Sequence, residues 1–275
     1  MGNSSLTHPT TSNLNNAKSD LAKLAKRFGL DAKIAQSKSE KNLFQRAKTH
    51  SLFAETLRQD NLENIVEHAF KDCSVDQVSE SLDPDWINAF WSMAAQVHNP
   101  KMQSLWGKIL SMEIANPASF SVKSLSVLKL LTQREASTFQ HACDLSSVIG
   151  ADNNHKVIVA AHRPSAKFGL SRALVSKLKL GQYRLSYHQI LQLADLGLLY
   201  ERELESSIND GEIRIHQGDL LYQLRPRQRH CKLSYYRFTP VGDELAALIK
   251  ASPHTEYRSA FAQMLGHFFE VDSQT

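Results

Sequence analysis

Three Asx-Pro steps punctuate the first half of this chain, and they constrain its fold more than any other feature. They are Asp83-Pro84, Asn99-Pro100 and Asn116-Pro117. In the first two, the Asx side chain caps orphan helix amides, and proline at the first helical position gives up no bond. Asn116-Pro117 ends a helix instead, because the residue before proline is disfavoured from the α region. Between these breaks apolar residues recur at helical spacing: Trp86, Phe90, Met93 and Val97, then Leu105, Trp106, Ile109, Leu110 and Ile114. A third helix from about Ser121 carries Val122, Leu125, Leu128 and Leu131. Thr132-Gln133-Arg134-Glu135 opens a fourth as a capping box. Short joints between four such helices predict a helical bundle over residues 83–150.

The flanks differ. Residues 1–17 are Ser, Thr and Asn without charge before Lys18, and they predict a disordered tail. Residues 18–82 predict a basic helix with Leu21, Leu24, Ala25 and Phe28 on one face and Gly29 as its stop, then a long amphipathic helix from about Ser39 to Phe70. Past Gly150, Val157-Ile158-Val159-Ala160 is a buried-strand candidate, and Ser186 caps a helix that ends at Gly197. The runs Ile213–Ile215, Leu220–Leu224 and Leu233–Phe238 predict strands, separated by turn signals at Asn209-Asp210-Gly211 and Gln217-Gly218-Asp219. Thr239-Pro240 opens a return helix. This pattern over 151–250 is similar to winged-helix domains, and 251–275 predicts a C-terminal helical segment. The expected fold class is thus mainly α with a smaller α+β part: a helical bundle followed by a winged-helix-like module of helix and antiparallel sheet.

Charge is sorted along the chain. Residues 18–50 carry nine Lys/Arg against three Asp/Glu, 51–100 carry two against nine, and 101–200 carry twelve against five. Such blocks point to pairing of the first two segments or to separate surfaces for different partners, while the plainer reading is a set of solvated faces. No apolar run approaches the ~18 residues of a membrane helix, and the N-terminus lacks the apolar core of a signal peptide. Cys73, Cys143 and Cys231 lie far apart, with no C-x-x-C pair. A cytoplasmic protein without a membrane span is expected.

The segment Asp83-Pro84-Asp85-Trp86-Ile87-Asn88, then Met102-Gln103-Ser104-Leu105-Trp106-Gly107-Lys108-Ile109-Leu110, resembles a bacterial domain-of-unknown-function family. The likeness continues through Glu113-Ile114, the Pro117 to Phe120-Ser121 step, Leu125 to Leu128 and Glu135-Ala136. Arg58 to Ile65 is similar to the family's lead-in helix; Leu193 to Leu199 and Phe238 to Gly242 are similar to its closing module. The resemblance covers roughly residues 55–250. The Leu105-Trp106-x-x-Ile109-Leu110 helix is also distantly similar to the helical domain of abortive-infection proteins, which act in defence against phage. The family resemblance implies an architecture and no chemistry.

Catalytic signals are sparse. There is no Gly-rich phosphate loop of either common kind and no G-x-S-x-G elbow. His141 and Cys143 lie two apart on a predicted helix and point in different directions, so no metal site is expected. Asp83 and Asp85 suit a cap and a first helical turn better than an acid–base pair. No catalytic residue, cofactor or metal is assigned. Trp86 and Trp106 follow the core stripes. Trp91 follows Phe90 and points about 100° away from it, so it either packs on another helix or belongs to a partner surface.

The sharpest local signal is Arg225-Pro226-Arg227-Gln228-Arg229-His230-Cys231-Lys232. Arg225, Arg227, Arg229 and Lys232 fall between two predicted strands, in an expected hairpin loop. Basic density of this kind suits phosphate contacts, and Tyr235, with Tyr222 and Tyr236, could stack on bases. A solvated tip paired with Glu201, Glu203 and Glu205 is the plainer alternative. Lys167, Arg172, Lys177, Lys179 and Arg184 form a second basic set. The expected function is a non-enzymatic interaction protein, in a defence or regulatory system, with a protein partner or self-association. The alternative is a nucleic-acid binder using the 225–232 hairpin, and an enzyme comes third.

Overall fold

The computed structural model describes residues 11–34, 42–73, 82–163, 174–208, 211–252 and 254–274, with the side chains of 11–15 excepted. The chain divides into two compact units, residues 1–64 and 65–275. In the first, helix α1 spans Thr11–Arg27 and α2 begins at Leu43, running to Asp72. The helix therefore starts inside the segment expected as a tail, while residues 1–10 lie outside the described residues. Gly29, at φ 65°, ends α1 with its amide on the Lys26 carbonyl, as a left-handed stop should. Phe28 meets Phe53 edge-on at 6.3 Å, and its carbonyl lies 3.0 Å from His50 Nδ1.

The second unit opens with the remaining turns of α2, followed by α3 (Pro84–Ala94), α4 (Pro100–Ala115), α5 (Val122–Leu130) and α6 (Gln133–Asp144). The expected caps form. Asp83 accepts from the amides of Asp85 and Trp86, Asn99 from those of Lys101 and Met102, and Thr132 exchanges bonds with Glu135. Trp86, Phe90 and Val97 are buried, as are Trp106, Ile109, Leu110, Leu125 and Leu128. Gly107 marks a close crossing: a Cβ there would lie 2.5 Å from His68 Cβ and 2.9 Å from the Ile65 carbonyl of α2.

The remaining elements are β1 (Ser147–Ile149), β2 (Asp152–Arg163), β3 (Leu174–Lys177), α7 (Tyr187–Asp195), β4 (Leu204–Ile208), β5 (Ile213–Gln217), β6 (Leu220–Pro226) and β7 (Cys231–Arg237). They end with α8 (Pro240–Ala246), α9 (Thr255–Gly266) and β8 (Phe269–Gln274). All eight strands join one antiparallel sheet in the order β4-β7-β2-β1-β5-β6-β8, with β3 also on β2. This corrects the expected fold class. The second unit is a large α+β fold built on an eight-stranded sheet, not a mainly α chain with a small winged-helix-like module. The missed strands are short or polar: Ser-Val-Ile, Leu-Val-Ser-Lys, Leu-Glu-Ser-Ser-Ile and Phe-Glu-Val-Asp-Ser-Gln. The last also replaces the end of the expected C-terminal helical segment.

Helices cover this sheet and one another. Helix α3 packs on α5, α5 on α8, α6 on α7, and α8 and α9 on β2. Glu244 of α8 accepts from the Ser121 amide at 2.7 Å and hydroxyl at 2.9 Å, tying the helical segment to the sheet's return helix. The family-like segments at 193–199 and 238–242 clasp each other. The Thr239 hydroxyl donates to the Gly197 carbonyl at 2.5 Å, and its amide donates to Leu198 at 3.0 Å. Gly242 is needed there because its Cα faces the Leu198 carbonyl with no room for a side chain. No helix among the described residues is long and apolar enough to cross a membrane.

A candidate nucleic-acid interface at the link between two strands

Strand register and one short link gather the basic residues. Cys231 of β7 pairs with Ile208 at the end of β4, Lys232 with His162 near the end of β2, and Pro226 of β6 with Phe269 at the start of β8. Arg163 and Lys232 therefore share one end of the β2–β7 pair, and Arg225, at the far end of β6, is carried beside them by the four-residue link 227–230. The link is not the expected hairpin. Strand β6 pairs with β5 and β8, and β7 pairs with β2 and β4, so residues 227–230 join strands that have no bond to each other. The sheet curls to allow it: Cys231 Sγ lies 3.8 Å from the carbonyl of Phe268, the residue before β8.

The link is pinned rather than loose. The Arg227 amide donates to the Phe268 carbonyl at 2.9 Å, and its Nε donates to the Phe269 carbonyl at 3.0 Å. His230 adopts a φ of 65°, a turn conformation that non-glycine residues rarely take. The Cys231 thiol donates to the Gln228 carbonyl at 3.2 Å, and burial raises its pKa above the ordinary value while the Arg163 charge opposes the rise. The Arg163 Nε is itself buried without a partner among the described residues.

Arg225, Arg227 and Arg229 line one open groove of about 420 Å³ with Gly211, Glu212, Pro226 and Gln228. Glu212 is the one carboxylate of that lining, 3.2 Å from an Arg225 nitrogen and 3.9 Å from Arg214 Nε. On its other side Arg225 borders the acidic residues Glu270 and Asp272 of β8, which bound the basic surface. Lys232 lies outside the groove lining, with its Nζ 2.9 Å from Glu205 Oε2 while His162 Nε2 sits 3.1 Å from Oε1. The Lys232 hydrogen bond holds the Glu205 carboxyl below the usual range.

The aromatic half of the expected site is not presented. Tyr235 is 7% exposed, its hydroxyl 2.8 Å from Ser206 Oγ and its ring 5.9 Å from Lys156 Nζ. Tyr222 and Tyr236 are buried as well. Trp91 lies elsewhere, half-buried on α3 and edge-on to Phe90 at 5.1 Å. Lys167 and Arg172 of the second basic set lie outside the described residues, and Arg184 lines a different groove. Glu212 and Arg163 escape the sequence reading because only strand register brings them beside the link.

The family-like motif proves to be structural. The Trp86 indole donates to the Phe120 carbonyl at 2.6 Å, while buried Glu113 accepts from the amides of Ala118 at 2.7 Å and Phe120 at 2.9 Å. Its residues hold a turn. Residues 45–262 match the model of the family described as protein of unknown function (DUF2806), and the chain belongs to that family. No curated protein and no solved structure matches the chain.

Proposed function

We propose that this protein acts by binding rather than by catalysis, and that its ligand is the phosphate backbone of nucleic acid. The observation that carries the reading is the groove in which Arg225, Arg227 and Arg229 meet a single carboxylate, Glu212. Arginine forks match phosphate oxygens in pairs, and they keep their charge at any working pH. The link is tied to the backbone of residues 268 and 269, so its cations are set in place before the ligand arrives. With Tyr222, Tyr235 and Tyr236 buried, stacking on unpaired bases is not part of the reading. The contacts are to backbone, and the preferred ligand is a duplex bound with little regard to sequence. A place in defence rests on the likeness of the Leu105–Leu110 helix to abortive-infection proteins and enters the proposal on that ground alone.

The test is fluorescence anisotropy of a labelled DNA duplex of mixed sequence, titrated with the wild-type chain and with Arg225→Ser/Arg227→Ser/Arg229→Ser. The expected result is wild-type binding at low salt, weakened at least about tenfold in the variant, with both melting curves alike. Wild-type protein that leaves the duplex free, or a folded variant that binds as tightly, overturns the reading in favour of an acidic protein partner at the same groove.

A further inference from the structure

A second groove, of about 700 Å³, lies where α6 meets α7. It is lined by Thr132, Gln133, Arg134, Ser137, Thr138, His141, Arg184 and Gln189, and no carboxylate is among them. Arg134, Ser137 or Thr138, and His141 follow one another at helical spacing, so one face of α6 supplies a cation, hydroxyls and an imidazole. Arg184 comes from the opposite wall, between the short 3-10 turn Leu180–Tyr183 and the Ser186 cap of α7. Both guanidinium groups are on exposed residues with no ion pair to an acidic side chain among the described residues, while His141 Nδ1 lies 3.9 Å from Asp144 Oδ2 just behind the lining.

The carboxylate nearest in sequence is turned away. Glu135 Oε2 accepts from the Thr132 amide and hydroxyl, both at 2.8 Å, and Oε1 faces Gln192 Nε2 at 3.4 Å. Gln189 likewise closes the α7 cap, its Oε1 accepting from the Ser186 amide at 2.7 Å, which leaves its amide nitrogen for the groove. The helix amides are thus already satisfied, and the charge available to a ligand is that of the side chains. The Thr132 and Thr138 hydroxyls already donate, to Glu135 and to the Arg134 carbonyl, so two arginines without an acidic partner, the Ser137 hydroxyl and the Gln189 amide are the groups that match the oxygens of a phosphate.

We infer that the α6–α7 groove is a second, separate phosphate-binding site, held by Arg134 and Arg184. The phosphate is either that of a small molecule or a phosphodiester of a nucleic-acid strand. The site stands on residues other than those of the 225–229 link, so either site can exist without the other.

The experiment uses the full chain, titrated calorimetrically with inorganic phosphate and with adenosine monophosphate, and by anisotropy with labelled duplex DNA. The variants are Arg134→Gln and Arg184→Gly. Arg184 has a φ of 61°, so glycine relieves a strained backbone there and the variant should fold at least as well as wild type. Glutamine keeps the helical propensity of position 134. The expected result is measurable binding by wild type, weakened about tenfold or more by either substitution with unchanged melting curves. Binding of phosphate and the mononucleotide persists in Arg225→Ser/Arg227→Ser/Arg229→Ser. Loss confined to phosphate and the mononucleotide assigns a small-molecule source; loss of duplex affinity assigns a nucleic-acid strand. A wild-type chain that binds none of the three probes, or variants that bind all of them as wild type does, overturns the inference.

Discussion

Arg225 of β6 and Glu212, the residue before β5, stand 3.2 Å apart on the wall of a groove that holds two further arginines. The Arg225 side chain is 72% exposed, so the pair adds little to stability, but it neutralises part of the field a phosphate would meet. Glu212→Gln should therefore raise duplex affinity several-fold at low salt and leave the free energy of unfolding within about 0.5 kcal/mol of wild type. Anisotropy titration checks it. Unchanged or weaker binding would contradict a role for this groove in holding anions.

Glu113 is 3% exposed and accepts the part-buried amide of Ala118 and the buried amide of Phe120, on the turn between α4 and α5. Removing a buried acceptor strands its donors, at about 1–3 kcal/mol for each. Glu113→Ala is expected to cost about 2–4 kcal/mol in urea unfolding, and Glu113→Gln less, since one oxygen remains to accept. A loss under about 1 kcal/mol for the alanine variant would show that the turn stands without the carboxylate.

Asp152 is held down to about 2 by hydrogen bonds from Asn154 and Lys156, the latter at 3.0 Å. A carboxyl depressed in the folded state stabilises above its ordinary, unfolded pKa of 3.8, and loses that contribution as pH falls toward about 2. Asp152→Asn should flatten the fall of stability between roughly pH 4 and pH 2 and leave the profile above pH 5 parallel to wild type. Denaturant midpoints measured across that range decide it; an identical acid slope in the variant rejects the assignment. The Asp152 side chain is 44% exposed, so the change should be small and reduced by salt.

Much of the helical half is legible from the chain because its signals are local. Asp83, Asn99, Thr132, Ser186 and Thr239 each cap the helix that their side chains and spacing announce. Of the stripe Trp86, Phe90, Met93 and Val97, the first two are buried on α3 as the period requires, Met93 is half-buried, and Val97 is buried beyond the helix end. The sheet is legible only in part, since pairing is not local. Ser147–Ile149 is three residues long yet bridges β2 and β5, and nothing in Ser-Val-Ile says so. The basic run 225–232 reads as a hairpin tip because two strand-like segments flank it, but these pair with different neighbours. Tyr235 reads as available because strand alternation does not reveal that β4 and Lys156 cover it. Gly107, inconspicuous within a helical pattern, is explained only by the crossing of α2 at His68.

The account turns on arginines that grip phosphates, and the salt dependence of duplex binding measures that grip most directly. Each phosphate neutralised on duplex DNA releases counterions and steepens log K against log salt by about 0.9. Wild type and Arg225→Ser/Arg227→Ser/Arg229→Ser, compared over the same salt range, should differ in slope by up to about 0.9 for each arginine in contact, with weaker binding in the variant throughout. Parallel slopes would contradict the claim that these side chains meet the nucleic-acid backbone.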